Sequence, residues 1–354
     1  MTGINRYDSQ ARLVRGEMAV RSPDIQTRLT EQGLEPVTST VRKGKGSEVA
    51  SAPYLQDREG YRVTPHPDHA RLYHLVLRPE RLRSFFAALE SLNVQNLEYV
   101  PYMRFIVAKQ LDELLGESFK DTIRAIVRDR DSGGFTLGVE GVTTRPDDFV
   151  KFGTAIGHLI GPANLDAMSG TYYARFTVKH TDNSDSYLRQ AYGKLTLHTD
   201  GTFVSEATDW LLMMKFEERN AVGGEARLIH LDDWQGLASF SEHPLASHPF
   251  TYKAMSSKNV SQSVQRPTFF NVDGKPCISI IDQCVYPETI EQASYLGEML
   301  DSLENSLATA AIPLPAGDLI VLNNQFWMHG RAAFQEHPEL HRELMRQRGV
   351  FSKV

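Results

Sequence analysis

The chain has 354 residues, 41% hydrophobic and 23% charged, long enough to bury a sizeable core without a disulfide or metal to hold it together. Its 38 basic and 44 acidic residues leave a formal charge of −6, so no electrostatic case exists for nucleic acid as a partner. No apolar run approaches the ~18 residues of a membrane span, and the first residues lack the apolar stretch of a secretory signal; a cytoplasmic protein with no membrane contact is expected. The two cysteines, Cys277 and Cys284, are spaced as neither a zinc knuckle nor a redox pair, and are read as reduced thiols.

Residues 1–60 are polar and poor in aromatics, and VRKGKGSEVASAP (41–53) cannot bury enough apolar surface to offset its ordering entropy. A mobile N-terminal extension is expected there, with an arm packed on a neighbouring subunit as the alternative. From about residue 80 the pattern turns helical: Leu82, Phe85, Phe86, Leu89 and Leu92 make one apolar face at three- and four-residue spacing. Further helices are predicted over 103–116, 117–130 and 146–160, the last opening on Asp147 and Asp148, where a helix start favours acids. After residue 170 short β-branched and aromatic runs follow one another: YYARFTVKH, KLTLH, TDWLLMMKF, EARLIHL, FTYKAM, CISIID, DLIVLN and ELMRQRGVF. A helical insertion at about 287–309 interrupts them. Strand–helix alternation is missing, so an α+β fold is predicted: a double-stranded β-helix (jelly roll) over 61–354, with N-terminal helices and one helical insertion.

A non-haem iron site needs two histidines and a carboxylate on one face of the metal, leaving the other face open. KLTLH ends at His198, followed by Thr199 and Asp200, and residues i and i+2 of an extended chain project to one side. The third ligand is predicted at His329, in DLIVLNNQFWMHGR. A His-x-Asp pair alone is weak evidence, and the chain has decoys. His66-Pro67-Asp68 precedes the helices in a Pro-rich loop, and His337-Pro338-Glu339 sits in a turn. The serious competitor is His230-Leu231-Asp232, but Asp232 or Asp233 reads more naturally there as a helix N-cap. On the last strand Arg346 and Arg348 alternate with Met345 and Gln347, so both arginines face one way, with Leu344 and Val350. Two inward arginines are costly unless anions meet them, and a guanidinium fork suits carboxylates.

These strings resemble a known family, the glutarate 2-hydroxylases, the carbon-starvation-induced (CsiD-like) branch of the clavaminate-synthase-like oxygenases. The resemblance runs from about Tyr73 to Phe351 and is most specific in DAMSGTYYARFTVKHTDNSDSYLRQ, LHTDGTFV, LLMMKFEE, IHLDDW, SKNVS, NNQFWMHGR and HRELMRQRG. It implies iron(II) on His198, Asp200 and His329, and 2-oxoglutarate held by Arg348. It also implies a homotetramer, and hydroxylation of glutarate at carbon 2 by O2 in lysine and glutarate breakdown, with release of succinate and CO2. No catalytic side chain is expected beyond the metal ligands. A dicarboxylate substrate needs a further cation. Arg346 is expected to supply it, being otherwise a buried unpaired charge, and Lys215, at the end of LLMM, is a weaker candidate. Two other readings remain open: the same chemistry on another small carboxylic acid, and a non-catalytic dicarboxylate-binding jelly roll.

Overall fold

The computed structural model describes residues 53–116, 118–180, 192–255 and 258–353. The chain divides into residues 1–49 and 50–354, and every described residue lies in the second unit. The expected mobile extension therefore falls outside the described residues up to position 52, while Gln56 and Asp57 already form a strand.

The body opens on β1 (Gln56–Asp57), β2 (Tyr61–His66) and β3 (His69–Leu77). The helices α1 (Pro79–Ala88), α2 (Val94–Tyr99), α3 (Pro101–Leu115) and α4 (Ser118–Arg128) follow, then β4 (Gly134–Gly138) and α5 (Pro146–Ile160). From Tyr173 strands dominate: β5 (Tyr173–Lys179), β6 (Leu195–His198), β7 (Trp210–Arg219) and β8 (Ala226–His230) come first. After the short helix α6 (Leu237–Ser241) come β9 (Pro249–Lys253), β10 (Ser263–Pro267), β11 (Phe269–Val272), β12 (Lys275–Ile278) and β13 (Val285–Tyr286). The predicted insertion is α7 (Ile290–Glu304), and β14 (Ala310–Ile312), β15 (Asp318–Asn323), β16 (Trp327–Arg331) and β17 (His341–Gly349) close the chain.

An eight-stranded sheet runs β1-β2-β3-β4-β15-β7-β17-β5, and a four-stranded sheet runs β14-β8-β16-β6. All their pairings are antiparallel except β3 with β4. The period of two along a strand shows in β15. Leu319 and Val321 pack with the helices in one core, while Ile320 and Leu322 join Leu228 and Met328 of the smaller sheet in another. Burial on both faces explains why DLIVLN is apolar without alternation. Helix α5 is buried almost throughout, with Pro146 in its first turn and Asp147 and Asp148 there as expected. It lies close on β17, because a side chain at Gly157 would meet Gln347 Oε1 at 2.7 Å. That helix thus backs Met345 and Gln347 and leaves Arg346 and Arg348 on the opposite face of the strand.

The strands β2 to β4 lie where the pattern predicts none. GFTLG is buried at all five positions, so it shows no alternation, and its glycines read as turn. Pro65 sits in β2 beside an irregular pairing at Pro65–His66, a position where a strand tolerates proline.

Candidate active site

Strand β16 lies between β6 and β8, and the pairing sets His329 directly opposite His198. Their rings are 4.2 Å apart, and each residue is about 5–6% exposed. Beyond His198 the chain is pinned at each step. Thr199 N–H donates to Ile280 O (2.9 Å), and Asp200 N–H donates to Asn324 Oδ1 (2.9 Å). Asn324 Nδ2 in turn donates to Asp200 O (3.0 Å) and Thr208 O (2.9 Å). Gly201 then turns away at φ +75°, a left-handed conformation that suits glycine. The three predicted ligands are thereby brought together: one donor atom from each of His198, Asp200 and His329 lies within 4.8 Å of the others.

The electrostatics suit a divalent cation. Burial first, then the neighbouring His198, pushes the His329 pKa down to about 3, so its imidazole is neutral and free to ligate. His198 Nδ1 faces Thr196 O at 2.8 Å; a proton held there leaves Nε2 as the free donor atom. Burial alone would raise the Asp200 carboxyl, but Arg346, then the two histidines, hold it well below the usual carboxylate range. Asp200 Oδ1 accepts from Arg346 Nη1 (3.1 Å), whereas Oδ2 is buried with no hydrogen-bond partner. A buried anionic oxygen left bare is costly, and a metal ion is the partner that removes the cost.

The triad opens on a cavity of about 560 Å³, walled by apolar groups such as Phe176, Phe203, Met213, Val260, Ile281 and Leu344. Both predicted arginines line it. Arg348 is buried, its Nε unpartnered, and no carboxylate among the described residues lies within ion-pair reach. Arg346 departs from its expectation: it is not unpaired. Its Nη2 donates to Asp166 Oδ2 at 2.7 Å and its Nη1 to Asp200, so its charge is already met. Lys215 does not line the cavity, and its ammonium is engaged by Glu218. Asp166, Asn324 and Lys258 were missed by sequence reasoning. Asp166 lies in the connection after α5, a stretch with no periodicity to flag it, and only the doubled asparagine of NNQFWMHGR marked Asn324.

The competitors resolve differently. His230 is itself the N-cap of a short turn, its Nδ1 accepting from Asp232 N–H, so the expectation that Asp232 or Asp233 caps it is corrected. Both acids face arginines instead, Asp232 with Arg130 and Asp233 with Arg71. His66 accepts from Asp68 N–H in the β2–β3 turn. A partly exposed trio, Glu217, His341 and Glu343, has its acids paired with Arg219 and Arg175. Cys277 and Cys284 are buried and free.

Gly330 ties packing to this site. A side chain there would meet Leu195 O at 2.6 Å, the backbone of the strand that carries His198. Gly330→Val is expected to force β6 from β16, lowering stability by about 1–3 kcal/mol and weakening metal binding. Urea unfolding and a metal titration on the same variant check both. A pH dependence follows from buried histidines as well. Burial pushes His158 and His230 down to about 4 and His329 to about 3. Their folded pKa values lie below the unfolded one, so their contribution is complete above about pH 6.5 and is lost as pH falls toward 4. His158 alone should remove roughly 3 kcal/mol across that interval. Urea midpoints of the metal-free protein at pH 7 and pH 4.5 measure the loss, and His158→Gln should flatten part of it.

Among solved structures the chain is similar to an asparagine oxygenase in complex with Fe(II), 3-hydroxyasparagine and succinate. The TM-score is 0.64 at 15% identity, covering 78% of this chain and 93% of that one. It is also similar to the non-haem iron oxygenase OrfP with Fe and alpha-ketoglutaric acid, at TM-score 0.60, 15% identity and coverage of 78% and 94%. The likeness is one of fold: a mixed α/β architecture with large antiparallel sheets, shared with non-haem iron oxygenases. The CsiD family model matches residues 61–351, and the chain belongs to that family. A relative named glutarate 2-hydroxylase, from Klebsiella pneumoniae (strain 342), is 44% identical over 305 residues, 85% of this chain and 94% of the relative.

Proposed function

We propose that this chain is an iron(II)- and 2-oxoglutarate-dependent oxygenase that hydroxylates glutarate at carbon 2, a step of lysine and glutarate breakdown. The observation that carries the reading is the triad itself: two buried histidines and a carboxylate with one bare oxygen, facing a cavity that also holds Arg348, which no carboxylate among the described residues pairs. The glutarate 2-hydroxylase relative supports the choice of substrate. Iron(II), bound to His198, Asp200 and His329, would supply the oxygen chemistry by which glutarate, 2-oxoglutarate and O2 become 2-hydroxyglutarate, succinate and CO2.

The protein's own part is positioning, charge and dryness. Arg348 takes the distal carboxylate of 2-oxoglutarate in its fork, a geometry that lysine lacks. Arg346 neutralises Asp200 on one oxygen and leaves the other for the metal, so its bond to Asp166 holds a ligand in place. The apolar wall excludes water from the reacting carbon.

The two sheets are read as a double-stranded β-helix within one domain, residues 61–354. A homotetramer is proposed, and Tyr99, Tyr102, Phe105 and Ile106, all exposed on α2 and α3, offer apolar surface for a subunit interface. No helix among the described residues is long and apolar enough to cross a membrane, and a cytoplasmic site is proposed. The test is to incubate purified protein with iron(II), ascorbate, 2-oxoglutarate and a panel of short acids, measuring succinate for each. Glutarate is expected to give succinate and 2-hydroxyglutarate in equal amounts; a stronger response to another acid would reassign the substrate.

A further inference from the structure

The connection between β9 and β10 spans residues 254–262, and β9 and β10 pair as a hairpin from Lys253 opposite Ser263. Two residues of this connection, Lys258 and Val260, line the same cavity as the metal ligands. Asn259 between them has φ +53°, the left-handed conformation that asparagine tolerates better than most residues. The string SKNVS, distinctive in the sequence, thus contributes Lys258 and Val260 to the cavity wall.

Lys258 is partly buried, and no acid lies within ion-pair reach of its ammonium among the described residues. The acids of the cavity wall nearest the triad are Asp166 and Asp200, and both are already engaged by Arg346. Burial lowers the Lys258 pKa and Arg346 lowers it further, with Asp200 and Asp166 offsetting only part. A cation drawn out of water beside another cation is unfavourable unless an anion arrives to meet it. The ligands proposed for this cavity bring four carboxylates. Two belong to 2-oxoglutarate, one for the metal and one for Arg348, and two belong to glutarate. Lys258 is a cavity-lining cation that no acid among the described residues meets.

We infer that Lys258 anchors a carboxylate of the substrate and sets the preference for a dicarboxylate over a monocarboxylate. This rests on the glutarate reading and deepens it. The residue acts in binding and takes no part in the oxygen chemistry. A hydrogen bond to a charged group is worth about 1.5–3 kcal/mol, or roughly 10–100-fold in an equilibrium constant.

The experiment uses wild type, Lys258→Met and Lys258→Arg. Glutarate, pentanoate and 2-oxoglutarate are each titrated calorimetrically into zinc-loaded protein, and KM values are measured with iron. Lys258→Met should weaken glutarate roughly 10–100-fold, leave 2-oxoglutarate nearly unchanged and erase most of the glutarate-to-pentanoate preference. Lys258→Arg should recover part of the glutarate affinity. Unaltered glutarate affinity in Lys258→Met overturns the inference, as does a loss confined to 2-oxoglutarate. Glutarate binding that depends on Lys258 without any turnover supports the anchor and rejects the hydroxylation. Failure of wild type to bind glutarate rejects both.

Discussion

Asp200→Ala is expected to reduce succinate formation to background and to weaken iron binding by more than about 100-fold, since loss of an outer partner alone commonly costs ~10–100-fold. The substitution removes the bare Oδ2 and also withdraws one of the two acids that neutralise Arg346. Asp200→Asn separates these effects. Its amide oxygen can still accept from Arg346 Nη1, but the anionic charge that favours a divalent ion is gone. Iron titration followed by a 2-oxoglutarate turnover assay reads each variant. Full activity in Asp200→Ala would end the assignment of the triad.

Arg348→Lys is expected to raise the half-saturating concentration of 2-oxoglutarate roughly 10–100-fold, with a smaller change in turnover once the co-substrate saturates. Charge is kept and the planar fork is lost, so the effect isolates bidentate recognition. Arg348 suits this role because no carboxylate among the described residues claims it. Arg346, two residues away, is held by two acids. An unchanged requirement would move the role along the same strand face to Arg342. That residue also lines the cavity, is buried, and finds its nearest acid, Glu218, only at 3.7 Å.

The cluster of His198, Asp200 and His329 was legible before the structure because it combines two local signals, a strand end carrying His-x-Asp and a late histidine in an apolar run. The direction of Arg346 and Arg348 was legible for the same reason, since alternation along a strand fixes which side chains share a face. Pairing was not. Nothing near Arg346 in the sequence announces Asp166, 180 positions away, so the arginine read as unpaired when it was not. Lys215 failed for a related reason: Glu218, three residues on, holds its ammonium outside the cavity wall. Lys258 escaped because a loop residue carries no periodic signal; only the fold brings it to the triad. Among the elements, the long helices and strands such as β7, β15 and β17 followed their patterns, while the short β10, β11, β13 and β14 were not foreseen and β4, buried on both faces and flanked by glycine, had no pattern to show.

The placing of β16 between β6 and β8 has a bearing on descent. His198 and His329 face each other because a backbone ladder aligns their strands, and that ladder owes nothing to an ion. A lineage could therefore exchange a ligand and keep its architecture, its apolar wall and its cations. What would survive such a change is a receptor for small acids, reached without passing through an unfoldable ancestor. Redox chemistry in this scaffold would turn on a single ligand, whereas the cations proposed to meet carboxylates sit apart from it, on β17 and on the connection between β9 and β10.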